Sequence, residues 1–140
     1  MAAGGERNVE TIRRLFAAVE ARDAVPMFEI YDPDVVIDEA PALPYGGSYR
    51  GHAGMLRHGL GCMAAWDHLQ AGDDRRLEAE FLGDGERVLV RWRLKAHAGD
   101  RSLDHPMVGD YLLRDGKVVA SRMHAFDSAA VAAFLAAAGA

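Results

Sequence analysis

Cysteine is nearly absent: Cys62 stands alone among 140 residues. That excludes an internal disulfide framework and fits a reducing compartment, so a cytoplasmic location is expected. Long apolar runs are missing too, and nothing approaches the roughly 20 residues a membrane-spanning helix needs. The opening MAAGGERNVE has no apolar stretch of the secretory kind. Positive charge is outnumbered, 16 Lys and Arg against 21 Asp and Glu, for a net charge of -5. Nucleic acid and anionic membrane are therefore not expected partners. No glycine-rich phosphate loop and no serine-nucleophile elbow occurs. His52, His58 and His68 do not share one helical face by spacing, so no metal set is read. Cys62, without an evident base, reads as packing filler.

Half of the residues are hydrophobic, enough for a core without staples in one domain spanning 1–140. Val9, Ile12, Phe16 and Val19 make one stripe of a first helix from about Glu6 to Arg22. Asp23 reads as the cap of a short second helix holding Pro26, Met27, Phe28 and Ile30. Tyr31-Asp32-Pro33-Asp34 reads as a turn, followed by the β-branched strand Val35–Glu39. Pro41 to Gly47 is a loop by its prolines and glycines. Gly51–Trp66 is a third helix, with Met55, Leu56, Leu60, Met63 and Trp66 expected in the core. Its glycines, Gly54, Gly59 and Gly61, weaken it.

The period then changes to two. Leu77, Ala79 and Phe81 alternate with acids up to a Gly83–Gly85 turn. Val88, Val90, Trp92, Leu94 and Ala96 share a face opposite Arg91, Arg93 and Lys95. Leu103–Leu113 turns at Asp115-Gly116 into Val118–Phe126, and Asp127 or Ser128 caps a last helix with Val131, Phe134 and Leu135. Such an order gives an α+β fold, in which antiparallel strands curl over helices and leave an apolar conical hollow.

Three stretches carry a resemblance: RNVETIRRLFAAVEARD, YDPDVVIDEAPALPYGGSYRGHAG and LLRDGKVVASRMHAFDSAAVAAFL. Together they resemble the nuclear-transport-factor-2-like superfamily, and within it the SnoaL-like polyketide cyclases, ketosteroid isomerases and limonene-epoxide hydrolase. The resemblance implies a cystatin-like α+β barrel: a conical antiparallel or mixed sheet around three helices from the N-terminal half, plus a short C-terminal helix. By likeness to the isomerases, Glu39 takes the place of the general base and Asp110 that of the protonated oxyanion-hole acid. The tyrosine completing that hole falls near Leu15 and is absent. By likeness to the cyclases, the catalytic aspartate of the last strand corresponds to His124 when anchored on Phe126-Asp127, or to Met123 when anchored on Asp115-Gly116-Lys117. A bulge reconciles the two. The hydrolase's ionisable pair falls near Val90 and Trp92, which speaks against that mechanism.

A carboxylate enclosed by apolar walls is costly to ionise, which suits Glu39 to take a proton beside a carbonyl. A neutral acid at Asp110 would donate to the oxygen, an arrangement for which ketosteroid isomerase is the reference case. His124 would shuttle protons. Tyr45, Tyr49, Trp66, Trp92, Met107 and His105 are the expected pocket walls, although each also reads as core or loop packing. The resemblance implies a cofactor-independent and metal-free cyclase, isomerase or dehydratase of bacterial biosynthesis, forming a homodimer. Its ligand would be a small apolar molecule bearing a carbonyl. A non-catalytic binder of the same fold and a water-activating hydrolase are the alternatives.

Overall fold

The computed structural model describes residues 2–139, so the ends of the expected 1–140 unit, Met1 and Ala140, lie outside the described residues. Helix α1 runs Ala2–Glu20 and α2 Val25–Ile30. Strand β1 is Tyr31–Glu39, β2 Gly47–Arg50 and helix α3 Gly51–Trp66. After two 3-10 turns come β3 Glu80–Asp84, β4 Arg87–Ala98, β5 Arg101–Arg114 and β6 Lys117–Ala125, then α4 Ser128–Ala137. No helix among the described residues is long and apolar enough to cross a membrane.

The sheet has the order β2-β1-β6-β5-β4-β3. Pairings are antiparallel except β1 with β6, which run parallel, so the sheet is mixed. Chain order alone suggested antiparallel neighbours; the first strand instead closes on the last. Two further differences concern the same region. The expected turn at Tyr31–Asp34 is an irregular start of β1, where Asp34 N–H donates to Asp32 Oδ1 at 2.9 Å and the register with β6 shifts. The expected loop from Pro41 leads at Gly47 into the short strand β2, a stretch left unassigned by the sequence reading and held to β1 by pairs such as Ile37 with Tyr49.

Alternation sorts the sheet's two faces. On β4 and β5, Val88, Val90, Leu94, Ala96, His105, Met107, Tyr111 and Leu113 point under the helices and are buried. Their neighbours carry ion pairs on the outer face, among them Arg93 with Asp104 and Lys95 with Glu78. Asp127 caps α4 as expected, accepting from Ala130 N–H at 3.1 Å.

The space expected to be a hollow is largely filled. Phe16 meets Phe81, Trp92 and Tyr111 edge-on, with ring centroids 5.6, 6.4 and 6.0 Å away. Farther along the sheet, Trp66 stacks on Phe134 at 6.3 Å and ties α4 to α3.

Candidate active site

Strand β1 and helix α3 bring the site's ionisable groups together. Period-two alternation along β1 turns Val35 and Ile37 inward and carries Glu39 to the same face, while Asp38 points outward to Arg122 at 3.2 Å. The Glu39 side chain is only 7% exposed.

Helix α3 faces the sheet with a side that apolar patterning did not predict. Met55, Ala65 and Trp66 are buried, but Leu56, Leu60 and Met63 are exposed, at 43%, 65% and 48%. His58 and Cys62, four residues apart and so on one face, turn inward in their place. Two glycines explain how the helix comes so near. A Cβ on Gly54 would lie 3.1 Å from the Tyr49 carbonyl carbon, and one on Gly61 would lie 3.2 Å from Tyr45 Cβ. Two turns apart, they let α3 settle onto the backbone around Tyr45 and Tyr49. The glycines weaken the isolated helix and bring His58 up to Glu39.

His58 Nε2 lies 2.7 Å from Glu39 Oε2. Cys62 Sγ lies 3.5 Å from that same nitrogen. Sharing one nitrogen rules out a nucleophilic triad, which needs the thiol and the carboxylate on opposite nitrogens of the ring. Burial, followed by the charge of Glu39, pushes the Cys62 thiol far up, so it stays protonated.

Four aromatic groups complete the setting. The Tyr49 ring stands edge-on to His58 with centroids 5.3 Å apart, and that of Tyr45 at 6.4 Å. Tyr49 O–H donates to the Tyr45 carbonyl at 2.9 Å, and Trp66 Nε1–H donates to the Tyr45 hydroxyl at 2.9 Å. Because Tyr45 accepts from the indole, its own hydroxyl proton is left to be donated. Burial first, then the neighbouring Cys62 and Glu39 groups, pushes the Tyr31 and Tyr45 phenols up. These phenols therefore act as donors and not as bases.

Of these groups only Glu39 borders a cleft. A cleft of about 510 Å³ lies between the ends of β1 and β6, the start of β2 and Ser128, with Glu39, Met123 and His124 in its walls. A second cleft of about 490 Å³ lies between α1 and Arg76–Phe81.

Of the residues expected from sequence, Glu39, Tyr45, Tyr49 and Trp66 converge. Asp110 does not join them. It sits on the outer face, paired with Leu89 across the ladder, and Arg87 Nη1 binds its Oδ1 at 2.6 Å. A one-residue change of face separates it from the buried Tyr111. His124 is likewise exposed and outward, opposite Val108. The register between β5 and β6 shifts between Leu112 and Leu113, and Met123 faces in, its sulfur accepting from Trp92 Nε1–H at 3.2 Å. The alternative reading of the last strand therefore describes its direction. His105 is buried and accepts from Asp127 N–H at 3.0 Å, holding the start of α4. Trp92 and Met107 belong to the packed interior.

His58 and Cys62 both line the inner face: the histidine joins the site although no metal set was read from His52, His58 and His68, and Cys62 packs against the interior cluster as expected. The sequence signal was their separation of four residues on a helix.

No functionally curated protein matches the chain in sequence. Among solved structures, Bal32a from a soil-derived mobile gene cassette is 21% identical with a TM-score of 0.80, over 94% of this chain and 98% of that one. TerC, co-crystallized with polyporic acid, is 23% identical with a TM-score of 0.78, over 93% and 98%. A SnoaL-like polyketide cyclase from Jannaschia sp. CCS1, so described provisionally, is 20% identical with a TM-score of 0.75, over 95% and 94%. At these identities the likeness establishes the fold. The SnoaL-like domain profile matches residues 12–121, from the core of α1 into β6. The chain belongs to the SnoaL-like domain family, within the NTF2-like superfamily.

Proposed function

We propose that this protein is an acid–base enzyme of the cyclase, isomerase or dehydratase type, with Glu39 and His58 as its proton-transfer pair. The observation that carries the reading is a carboxylate only 7% exposed, held 2.7 Å from an imidazole at the wall of a cleft. Glu39 uses Oε2 toward His58, which leaves Oε1 to take a proton from a substrate carbon beside a carbonyl. The electron pair released moves to the carbonyl oxygen. The Trp66 N–H fixes Tyr45, whose ring stands beside His58. The proton then returns from Glu39 at the new position, and His58 holds the carboxylate in place throughout.

The substrate in this reading is a small, largely apolar carbonyl compound, and a polyketide-derived one is the first choice. Family membership supports that choice, and the structurally similar TerC was co-crystallized with a small organic acid, polyporic acid. Self-association into a homodimer through the outer sheet face, around the part-exposed Leu89, belongs to the same proposal.

Incubation with a panel of aromatic polyketide ketones in heavy water tests it. The parent protein should exchange hydrogen for deuterium at the carbon beside the carbonyl. Glu39→Gln should lose at least about 100-fold of that rate while keeping its fold. Equal exchange by both proteins would remove Glu39 from the chemistry. Asp110 neutralised by Arg87 and His124 turned outward favour one rival, a ligand binder without chemistry. Such a protein would bind members of the panel and exchange none.

A further inference from the structure

We propose that Glu39, His58 and Cys62 form a binding site for a single divalent cation of the zinc class. The observation that carries this is the gathering of donors: Glu39 Oε2 and Cys62 Sγ both approach His58 Nε2, and the three donor atoms lie within 4.8 Å of one another. Helix α3, seated by Gly54 and Gly61, turns the histidine and the cysteine toward the carboxylate. A one-carboxylate, one-imidazole, one-thiol set suits a borderline-soft ion better than calcium or magnesium, which prefer oxygen.

Tetrahedral zinc with bonds of about 2.0–2.3 Å separates its ligand atoms by roughly 3.3–3.6 Å. The 3.5 Å between His58 Nε2 and Cys62 Sγ already matches that edge. The 2.7 Å between Nε2 and Glu39 Oε2 is a hydrogen-bond length and must open by roughly 0.6 Å, within reach of a glutamate rotamer adjustment. On binding, the Cys62 S–H bond breaks and its proton leaves to solvent, the His58 proton passes by way of solvent from Nε2 to Nδ1, and bonds form from the metal to the sulfur and to Nε2. The thiolate and the Glu39 carboxylate then balance the ion's two positive charges. Three protein ligands leave a fourth position for water or a substrate oxygen. The site rests on donor geometry and not on the acid–base reading. A bound ion would occupy both Nε2 and Oε2, so the loaded protein would have no free proton-transfer pair.

Cobalt titration of the metal-stripped full-length chain tests the proposal without any substrate. One Co²⁺ per chain should bind, giving the visible absorption of a four-coordinate ion and a near-ultraviolet thiolate-to-cobalt band. Zn²⁺ should then displace it. Cys62→Ser should lose the near-ultraviolet band with an unchanged circular dichroism spectrum, and His97→Ala, at the separate His97–Asp74 pair, should retain it. Folded parent protein that binds no cobalt stoichiometrically would overturn the site. So would a spectrum that survives Cys62→Ser, or one that disappears in His97→Ala. Deuterium exchange by metal-stripped protein reports separately on Glu39, so each reading can fail without the other.

Discussion

Tyr45→Phe removes one oxygen and little volume, which makes it a sharp probe of the site's support. The Tyr45 hydroxyl accepts from Trp66 Nε1–H at 2.9 Å, and both residues are buried, at 5% and 6% exposure. Without that oxygen the indole N–H has no replacement acceptor in an interior packed against Phe134 and Leu94. Leaving a buried donor unpaired costs about 1–3 kcal/mol. For a domain of this size, each kcal/mol moves the melting temperature by roughly 3–4 °C. A loss of roughly 3–12 °C is therefore expected in calorimetry, together with a changed Trp66 emission. A double-mutant cycle with Trp66→Phe should return a coupling of about 1 kcal/mol, because each single change already breaks the same bond. Tyr45→Phe melting within 1 °C of the parent, or purely additive effects, would show that the hydroxyl is not held by the indole. The support that Tyr45 gives to the His58 side of the site would then lose its basis.

Other outcomes follow from the same geometry. Gly46→Ala should destabilise the protein by about 3 kcal/mol in urea unfolding, since its Cβ would lie 2.3 Å from Ala40 O and 2.9 Å from Pro41 Cα, both backbone atoms that cannot rotate away. Asp110→Asn should cost at most about 1 kcal/mol and leave turnover unchanged, because the Arg87 pair is half-exposed and on the outer face. Asp74 supplies a pH test. Burial pushes its carboxyl up, but the His97 hydrogen bond, the Ala71 N–H and the charges on His97 and Lys95 outweigh this and hold it below the ordinary range. A carboxyl lowered in the folded state adds stability above its unfolded value near ~3.9 and loses it as pH falls through the folded one. Asp74→Asn should therefore flatten the loss of stability below about pH 4, as read from denaturation midpoints across pH.

Periodicity located most of the fold. The bounds of α3, the face carried by Val88 to Ala96 and the Asp127 cap all follow from side-chain spacing. The parallel pairing of β1 with β6 was not legible, because two strands far apart in the chain meet only once the sheet curls. Facing along β5 was harder. Asp110 and Tyr111 are neighbours, and one residue of register decides which of them enters the interior. In α3 an apolar count put Leu56, Leu60 and Met63 inward, whereas close backbone contact at Gly54 and Gly61 fixes the opposite rotation. That rotation hid His58 and Cys62 from the sequence reading, whereas Glu39 was singled out by the resemblance to the ketosteroid isomerases.

The histidine side chains of the metal-stripped protein report on the Glu39–His58 bond without knowledge of any substrate. With the carboxylate ionised, His58 should carry its proton on Nε2 and donate it to Glu39. Long-range proton–nitrogen correlation spectra near neutral pH should then show a His58 Nε2–H signal protected from exchange with water, lost in Glu39→Gln. A His58 imidazole exchanging as freely as that of exposed His68, in parent and variant alike, would contradict the pairing at the centre of the site.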